Sequence, residues 1–511
     1  MNGDAGGGEG MGDGGEGMRD VLADRVAATP DRLALLDAAS GETWSYADLD
    51  AAVDELAGRL ASASITAGDR VPLLLETSVD AVRAVHALLC VGATPVPLDV
   101  TLTSGELRRR VGMVDADHLV CVADTVPAAI DATGERSVEP IALGNADRVP
   151  SVRSHDTIGV PGAERGPDEP AVIMFTSGTT GAAKAVVLTG RNLRASAVAS
   201  AFRLGVRPGD RWLCPLPVYH MGGLAPVLRS ALYGTAVVIQ EGFDAERTAR
   251  ATREHDATGI SLVPTALHRI FEAGARLAPS LRFVLLGGAA ASDSLIDVCE
   301  RRGVPVHPTY GTTETASQIA TATPTEAFEH RGTVGQPLLG TEVRIVDEAG
   351  TERPAGETGE IVVAGPTVTP GYLDGDGSII GSRGLRTGDL GYRDEAGRLY
   401  VVGRVDDVIV TGGENVPAGE VEATLRDHPD VGDAAVVGLD DPEWGERVAA
   451  LVVPAGDPES EHAVSADELH AFCRGRLAGF KTPKTIRVTD VLPRTPSGTV
   501  DREAVRDRLR E

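Results

Sequence analysis

Lysine is the scarcest charged residue of this chain. Of its 48 Lys and Arg residues only three are lysines, so the other 45 are arginines, and the 75 Asp and Glu residues give a formal net charge of −27. A surface this acidic repels nucleic acid and anionic membranes, which we therefore do not expect as partners. The acid excess together with the use of Arg for Lys favours a halophilic protein. A GC-rich genome is the alternative, although it explains only the arginines.

Cysteine and aromatic residues are also few. Aromatic residues make up 4% of the chain, and its five cysteines stand far apart, without a CxxC pair or a His/Cys cluster. An odd number of isolated cysteines predicts buried free thiols and no structural metal. No apolar run reaches the roughly 18 residues that span a bilayer, and no basic segment followed by an apolar one stands at the N-terminus. These absences predict a cytoplasmic protein without a membrane helix.

The order of the apolar runs predicts the fold. The 511 residues exceed one ordinary domain, and residues 1–17 are glycine and acid, which predicts a disordered tail. From about residue 30, short apolar runs such as "RVPLLLE", "PAVIMFTS" and "LRFVLLGG" alternate with helical stretches. This alternation is typical of βαβ units and parallel sheets.

The pattern changes towards the C-terminus. Residues 334–403 contain short strands split by Gly and Asp turns, which favours antiparallel structure, and a compact tail of helices and strands follows. We therefore expect an α/β protein with a large N-terminal domain, residues 18–403, built from parallel-sheet α/β subdomains plus a small β-barrel-like part. A small mobile α+β domain, residues 404–511, is expected to follow it.

One stretch, "TSGTTGAAK" at residues 176–184, combines hydroxyls, glycines and a rare lysine after an apolar run. Glycines let backbone N–H groups turn towards an anion, hydroxyls add donors, and a lysine adds a positive charge. The spacing differs from the P-loop pattern, because two residues separate the last Gly from Lys184 and Ala185 replaces the hydroxyl. We predict a polyphosphate site, with a flexible turn as the alternative, formed by Thr176, Ser177, Gly178, Thr179, Thr180 and Lys184.

This stretch resembles the phosphate-binding signature of the adenylate-forming superfamily, which includes acyl-CoA synthetases, luciferases and peptide-synthetase adenylation domains. Three further motifs follow in the order of that superfamily: "YGTTET" at 310–315, "RTGDLGY" at 386–392 and "GRVDDVIVTGGENV" at 403–416. The resemblance covers about residues 20–511. It implies an AMP-forming acid–thiol ligase that uses ATP and Mg²⁺ to make an acyl-adenylate and then transfers the acyl group to coenzyme A.

The resemblance assigns roles around the nucleotide. Tyr310 is expected to offer its ring to the purine, with an ordinary core tyrosine as the alternative. Thr313 is expected to donate to the α-phosphate, and Glu314 to ligate Mg²⁺, which prefers oxygen ligands. Asp389 is expected to accept from both ribose hydroxyls with the help of Arg404, although an Asp after Gly is also a common turn residue.

The same resemblance predicts how the small domain acts. Asp406 is the expected hinge about which that domain rotates between the adenylation and thioester steps. Gly412 and Gly413 are expected to border the path of coenzyme A, because only glycine permits so close a backbone approach. The expected partners are thus small molecules, namely ATP, a carboxylic acid and coenzyme A. A homo-oligomer is compatible with the sequence.

Three stretches bear on the acid. His220 in "CPLPVYHMGGL" is expected to line the acid pocket and to join Lys184, Thr313 and Glu314 in catalysis, with a structural histidine as the alternative. The other two stretches are "LLGGAAAS" and "TETASQIAT". They are expected to complete the acid site with Gly287, Gly288, Ser317 and Gln318. Together these stretches most resemble the o-succinylbenzoate–CoA ligases of menaquinone biosynthesis, whose substrate carries an aromatic ring and a second carboxylate. A ligase for another aryl or acyl acid is the alternative.

One position departs from the superfamily. Its members usually end with a P-x-x-x-x-G-K pattern whose lysine bridges carboxylate and phosphate during adenylation, whereas "PRTPSGT" places Thr499 there. A hydroxyl supplies no formal charge, and loss of such a partner commonly costs about 10²–10³ in rate. One explanation for Thr499 is that the enzyme carries out adenylation slowly. A second is that the chain is a non-catalytic nucleotide-binding homologue. A third is that another cation substitutes, for which the candidates are Arg494, Arg502, Lys481 and Lys484.

Overall fold

A computed structural model describes residues 21–134, 138–160, 165–177, 183–375, 380–381, 383–411, 414–442, 444–455, 464–494 and 500–511. The predicted disordered tail, residues 1–17, lies outside them. The helices are α1 (Val21–Ala28), α2 (Tyr46–Ser62), α3 (Val79–Val91), α4 (Ser104–Met113), α5 (Val126–Thr133), α6 (Gly190–Leu204), α7 (Met221–Tyr233), α8 (Ala245–Glu254), α9 (Pro264–Glu272), α10 (Asp293–Arg302), α11 (Pro324–Glu329), α12 (Ala418–Arg426), α13 (Ala466–Arg474) and α14 (Arg502–Arg510).

The strands follow the same order along the chain. The first fourteen are β1 (Leu33–Asp37), β2 (Thr43–Ser45), β3 (Arg70–Leu74), β4 (Thr94–Pro97), β5 (His118–Cys121), β6 (Glu139–Ala142), β7 (Pro170–Ser177), β8 (Ala183–Thr189), β9 (Arg211–Cys214), β10 (Ala236–Ile239), β11 (Gly259–Leu262), β12 (Phe283–Leu286), β13 (Val306–Tyr310) and β14 (Ala320–Thr321). The others are β15 (Thr333–Pro337), β16 (Glu342–Val346), β17 (Gly359–Ala364), β18 (Gly371–Tyr372), β19 (Ile380–Gly381), β20 (Gly384–Arg393), β21 (Leu399–Arg404), β22 (Val408–Thr411), β23 (Glu414–Pro417), β24 (Val431–Asp441), β25 (Gly445–Pro454) and β26 (Thr485–Val488).

Parallel strands form the centre of the large N-terminal part. In the described chain the largest sheet has the order β16-β17-β20-β21-β15-β14-β13-β12-β11-β9-β10-β1-β2, with β19 on β20, and its run from β13 to β1 is parallel. A second parallel sheet has the order β4-β3-β5-β6. The central strands of both sheets are buried, and helices connect them. The predicted βαβ organisation is confirmed.

The antiparallel elements lie where the sequence changes style. β15, β16, β17, β20 and β21 pair antiparallel and continue the large sheet at one end. A separate sheet, β18-β8-β7, is antiparallel throughout. In this sheet β8 pairs with β7 on one side and with β18 on the other, although β18 comes almost 200 residues later in the chain.

The C-terminal part has its own sheet and core. β23-β22-β25-β24 are antiparallel, β26 joins β25 in parallel, and α12, α13 and α14 pack on the sheet. Ser465 caps α13 by accepting from the backbone N–H of Glu468. The fold class predicted from the sequence is confirmed by this arrangement of a large α/β part and a small α+β part.

Two further predictions concern the interior. All five cysteines are free thiols; four are buried and Cys90 is half-buried. Burial raises the pKa of Cys121 and of Cys214 to about 12, so both thiols are inert at neutral pH. Among the described residues, no helix has the length and apolar composition that crossing a bilayer requires.

Candidate active site

A hairpin carries the predicted phosphate loop. β7 and β8 pair antiparallel with Thr176 opposite Lys184, so the two ends of the loop lie side by side. Gly178, Thr179 and Thr180 lie outside the described residues, and Ser177 is described only as the last backbone position of β7. The loop follows a strand, as predicted, and leads into β8, so Lys184 comes from a strand.

Lys184 lies over the ring of Tyr372, with its Nζ 5.1 Å from the ring centroid. The pairing of β18 with β8 puts Tyr372 opposite Val186. Lys184 precedes Val186 by two residues and therefore shares its face of the sheet, where diagonal neighbours reach one another. Within the described part of the chain, no carboxylate lies at ion-pair distance from the Lys184 ammonium. Its charge is available to an anion.

Glu314 contacts the hydroxyl of the same tyrosine. It lies in the 3₁₀ turn Thr313–Thr315 after β13, and its Oε1 accepts a 3.0 Å hydrogen bond from the Tyr372 hydroxyl. The backbone oxygen of Glu314 accepts from the N–H of Thr369 at 2.8 Å, which fixes the turn against the segment that leads to β18. Predicted phosphate and magnesium residues thus meet around one ring that the sequence analysis did not single out.

The carboxylate of Glu314 suits a magnesium ion that arrives with ATP. No group of three His, Cys, Asp or Glu side chains able to hold a metal occurs among the described residues. Mg²⁺ at nucleotide sites is usually held by one or two carboxylates together with the phosphates and water, so a single carboxylate beside Lys184 matches that donor set. Thr313, the neighbouring phosphate candidate, is half-buried in the same turn.

Tyr310, Asp389 and Arg404 form a second cluster. The Tyr310 hydroxyl donates to Oδ2 of Asp389 at 2.6 Å, and Arg404 lies 3.3 Å from Oδ1 of the same carboxylate. β20 and β21 pair with Asp389 opposite Arg404, which explains this contact. Burial raises the pKa of Asp389, the Tyr310 hydrogen bond and Arg404 act against that rise, and the negative charge of Glu314 adds to it. Tyr310 ends β13 and the turn Thr313–Thr315 that carries Glu314 follows directly, so the two clusters are linked by a short piece of chain.

The predicted acid side of the site begins at His220, the residue before α7. The helix can start there because Gly223 fits against the chain, where a Cβ would lie 2.2 Å from the Pro217 carbonyl oxygen. His220 is exposed, but the surrounding protein atoms still desolvate its ring and lower its pKa, an effect that Asp99 opposes and Arg110 assists. His220 is therefore neutral at neutral pH.

The predicted glycine wall lies at the end of β12. A Cβ on Gly287 would lie 2.8 Å from Cγ2 of Thr309, and Gly288 has a φ of +81° with Val263 close by. Both positions therefore require glycine. Ser317, in the turn after Glu314, has a φ of +108°, and a Cβ on Gly311 would lie 1.6 Å from its carbonyl oxygen, so that turn also depends on a glycine.

Gln318 points into the protein, towards an arginine that the sequence analysis missed. Its Oε1 accepts from Arg229 at 2.9 Å and its Nε2 donates to Thr321 at 2.8 Å. Arg229 is only 3% exposed and also donates to Ser196 at 2.7 Å and Ser200 at 3.3 Å. Within the described residues this arginine has no carboxylate partner, and burial lowers its pKa. The available signal was a single arginine in the apolar stretch "MGGLAPVLRSALY".

Several predicted positions of the C-terminal part cannot be placed. Gly412, Gly413 and Thr499 lie outside the described residues, and Asp406 is described only as a backbone position of the 3₁₀ turn Val405–Asp407. The roles of Gly412 and Gly413 in coenzyme A binding and of Asp406 as the hinge therefore stay predictions. So does the effect of Thr499 at the position of the superfamily lysine.

The four cations proposed to replace the missing lysine are all described. Arg494 pairs with Asp433, Arg502 with Asp407 and Glu422, and Lys481 with Glu420. Lys484 differs from them, since its Nζ lies 3.9 Å from the ring centroid of Trp444 and no described carboxylate stands at ion-pair distance. Three of the four candidates thus already neutralise carboxylates.

The fold and the two clusters define a class of ATP-using enzymes, and comparison with known proteins supplies the family. The chain belongs to the AMP-binding enzymes: the family model of that name matches residues 22–373, and the model of the AMP-binding enzyme C-terminal domain matches residues 420–499. The resemblance to the adenylate-forming superfamily is confirmed.

Among individual relatives, the 2-succinylbenzoate–CoA ligase of Bacillus licheniformis is 38% identical over 484 residues, which are 94% of this chain and 98% of that protein. The corresponding ligase of Geobacillus kaustophilus is 38% identical over 487 residues, 93% of this chain and 95% of that one. The o-succinylbenzoate CoA synthetase of Bacillus subtilis in complex with the acyl-adenylate OSB-AMP is similar in structure, with a TM-score of 0.86, 34% identity, and coverage of 96% and 98%. An amide bond synthetase from Marinactinospora thermotolerans also has a TM-score of 0.86, at 29% identity, with coverage of 95% and 99%.

Proposed function

We propose that this chain is an ATP- and Mg²⁺-dependent, AMP-forming acid–CoA ligase that activates 2-succinylbenzoate, an acid of menaquinone biosynthesis. The two ligases described above match nearly the whole length of this chain, and both are named for this activity. Within this chain, the observation that carries the choice of acid is the buried Arg229.

A buried arginine with only neutral partners favours an anionic ligand. Charges are costly to bury and are usually paired, yet Ser196, Ser200 and Gln318 offer Arg229 only neutral oxygens. Arg229 also lines a small cavity together with Met221, which directly follows His220. A dicarboxylic acid whose second carboxylate approaches Arg229 would complete the charge. A fatty acid would leave it uncompensated.

The remaining residues divide the adenylation step among them. Lys184 binds the phosphates of ATP, Thr313 donates to the α-phosphate, and Asp389 with Arg404 accepts the ribose beside the Tyr310 ring. Glu314 would hold the Mg²⁺, which neutralises phosphate charge when bound. One carboxylate oxygen of the acid attacks the α-phosphorus, the bond to the bridging oxygen breaks, and pyrophosphate leaves. Neutral His220 borders the acid without adding a charge.

The second step uses the C-terminal part. We propose residues 18–403 and 404–511 as the two domains, with Asp406 as the hinge between them and Gly412 and Gly413 beside coenzyme A. The thiolate sulfur attacks the carbonyl carbon of the mixed anhydride, the bond to the phosphate oxygen breaks, and AMP leaves. Lys484 is the favoured replacement for the missing lysine, since the other three candidates are engaged with carboxylates.

The test is pyrophosphate release with a matched pair of acids. 2-Succinylbenzoate and 4-oxo-4-phenylbutanoate differ only by the carboxylate on the ring. We expect release with the first, little with the second, and a CoA thioester when coenzyme A is added. Release with other aryl or acyl acids alone would reassign the substrate. ATP binding without release with any acid would establish the non-catalytic homologue.

The likeness to an amide bond synthetase supports one further arm of this experiment. Acyl-adenylate formed from 2-succinylbenzoate is offered either coenzyme A or a panel of primary amines. Thioester as the dominant product supports the ligase, whereas amide as the dominant product would assign the chain to the other activity.

We also propose a cytoplasmic location. The net charge of −27 further supports adaptation to high salt, and the dependence of enzyme activity on salt concentration tests that adaptation.

A further inference from the structure

Tyr372 is the one described side chain that contacts both the phosphate lysine and the magnesium carboxylate. Its hydroxyl donates to Glu314 at 3.0 Å, and the Lys184 ammonium lies 5.1 Å from its ring centroid. A phenol hydroxyl is protonated at neutral pH and carries one donor, so Tyr372 donates and the carboxylate accepts. Two opposite charges thus lie around one neutral ring without an ion pair between them.

The backbone holds Tyr372 firmly in this place. β18 pairs with β8 at Gly371 opposite Val187 and Tyr372 opposite Val186, and the next residue, Leu373, donates from its N–H to the Ala185 oxygen at 2.8 Å. Thr369 is fully buried, and its hydroxyl donates to the Gly371 oxygen at 3.0 Å. The N–H of Thr369 holds the turn of Glu314, so hairpin, turn and ring form one connected unit.

Without the ring, the two charges would be free to pair with each other. An ammonium and a carboxylate in a partly desolvated cleft attract strongly, and a direct pair would occupy the groups that the phosphates and the metal need. The hydroxyl also restricts Glu314, because a carboxylate that accepts at Oε1 keeps its other oxygen directed away from the ring. The arrangement favours an open, oriented carboxylate and an unpaired ammonium.

We propose that Tyr372 is a positioning residue that separates Lys184 from Glu314 and orients the Glu314 carboxylate, so that both charges are available to ATP and its metal. This role rests on the proposed function, since it requires that the site binds a metal-bound nucleotide. It gives the hydroxyl and the ring different tasks. The hydroxyl serves the metal ligand, whereas the ring serves the phosphate lysine.

The first test compares ATP binding with Mg²⁺ and with EDTA by calorimetric titration of the full chain. Tyr372→Phe removes the hydroxyl and keeps the ring. We expect its ATP affinity with Mg²⁺ to fall about tenfold, the effect of losing one hydrogen bond to a charged group, with affinity in EDTA unchanged. The matched control is Tyr400→Phe, which removes a hydroxyl from a ring stacked on Tyr392 in the pair β20–β21 and should change neither affinity.

The second test removes the ring. Tyr372→Leu should weaken ATP binding in EDTA as well, because Lys184 and Glu314 can then pair. The double variant Tyr372→Leu with Glu314→Gln should bind ATP in EDTA more tightly than Tyr372→Leu alone. This gain should exceed the gain that Glu314→Gln gives in the native chain. The difference between the two effects is the coupling in a double-mutant cycle, and a purely structural role of Tyr372 would give none. Thermal unfolding midpoints of all variants check that each is folded.

The outcomes separate this inference from the proposed function. If the native chain shows no Mg²⁺-dependent ATP binding or releases no pyrophosphate with any acid, the proposed function fails. If the native chain is active but Tyr372→Phe weakens ATP binding equally with Mg²⁺ and with EDTA, or the cycle shows no coupling, only the role of Tyr372 is overturned. Metal-selective weakening with positive coupling supports it.

Discussion

The hydroxyl of Tyr310 donates a 2.6 Å hydrogen bond to the Asp389 carboxylate, so the residue expected to stack on the purine also holds the residue expected to accept the ribose. The two come from β13 and β20, which are distant in the sequence and are separated in the large sheet by β14, β15 and β21. If the two residues have these predicted roles, a change in one should also affect the other.

This link predicts a pH effect for Tyr310→Phe. The Tyr310 hydrogen bond lowers the pKa of Asp389 against the rise caused by burial, so its loss leaves that pKa higher. Asp389 must be ionised to accept from both ribose hydroxyls, and activity is lost as the pH falls through its pKa. We therefore expect the acid limb of kcat/KM for ATP to move to higher pH, with the alkaline limb unchanged. An unshifted acid limb would show that another group controls it.

Lys184→Ala should weaken ATP use. The Lys184 ammonium has no carboxylate partner among the described residues, and removing one preorganised cation from phosphoryl chemistry commonly costs about 10²–10³ in rate. Pyrophosphate release with saturating acid measures the loss. Lys184→Arg keeps the charge and should retain more activity than Lys184→Ala. Equal loss in both variants would mean that charge is not what Lys184 contributes.

Arg229→Met should separate stability from specificity. Within the described residues Arg229 has no ion-pair partner, and an apolar side chain of similar length removes the cost of burying its charge, so we expect an unchanged or higher unfolding midpoint. The specificity constant for 2-succinylbenzoate should fall about a hundredfold, while that for 4-oxo-4-phenylbutanoate should hardly change. An equal fall for both acids would remove Arg229 from recognition of the second carboxylate.

Thr499→Lys tests the departure from the superfamily. A lysine at this position would restore a cation for the developing charge on phosphate, and adenylation should accelerate by up to about 10²–10³. An unchanged rate would mean that another cation already serves. In that case Lys484→Ala should slow adenylation, since Lys484 alone of the four candidates has no described carboxylate partner. Single-turnover formation of acyl-adenylate is the measurement for both variants.

Much of the fold could be predicted because local patterns determine it. α3 ends at Gly92, whose φ of +89° suits a left-handed helix cap, and a glycine after an apolar helical stretch is a local signal for such an end. β7 and β12 coincide with the apolar runs "PAVIMFTS" and "LRFVLLGG", and the change to antiparallel strands after residue 334 was visible in the Gly and Asp turns.

The contacts of the site were harder to predict, because they depend on register between distant strands. Nothing near Tyr372 indicates that it meets Glu314, 58 positions earlier; the pairing of β18 with β8 creates that contact. Gln318 stands next to the magnesium motif, which suggested a substrate contact, but its amide is engaged by Arg229 and Thr321. A polar residue beside a motif can thus serve to orient a buried charge.

The rarity of lysine has a chemical consequence for an enzyme of this kind. Acyl-adenylates that escape into solution acylate amines, whereas guanidinium groups stay protonated and do not react in this way. A chain with 45 arginines and three lysines, one of them paired with Glu420, offers its own reactive intermediate almost no surface to modify. The same composition that solvates the protein would also protect it from self-inflicted acylation.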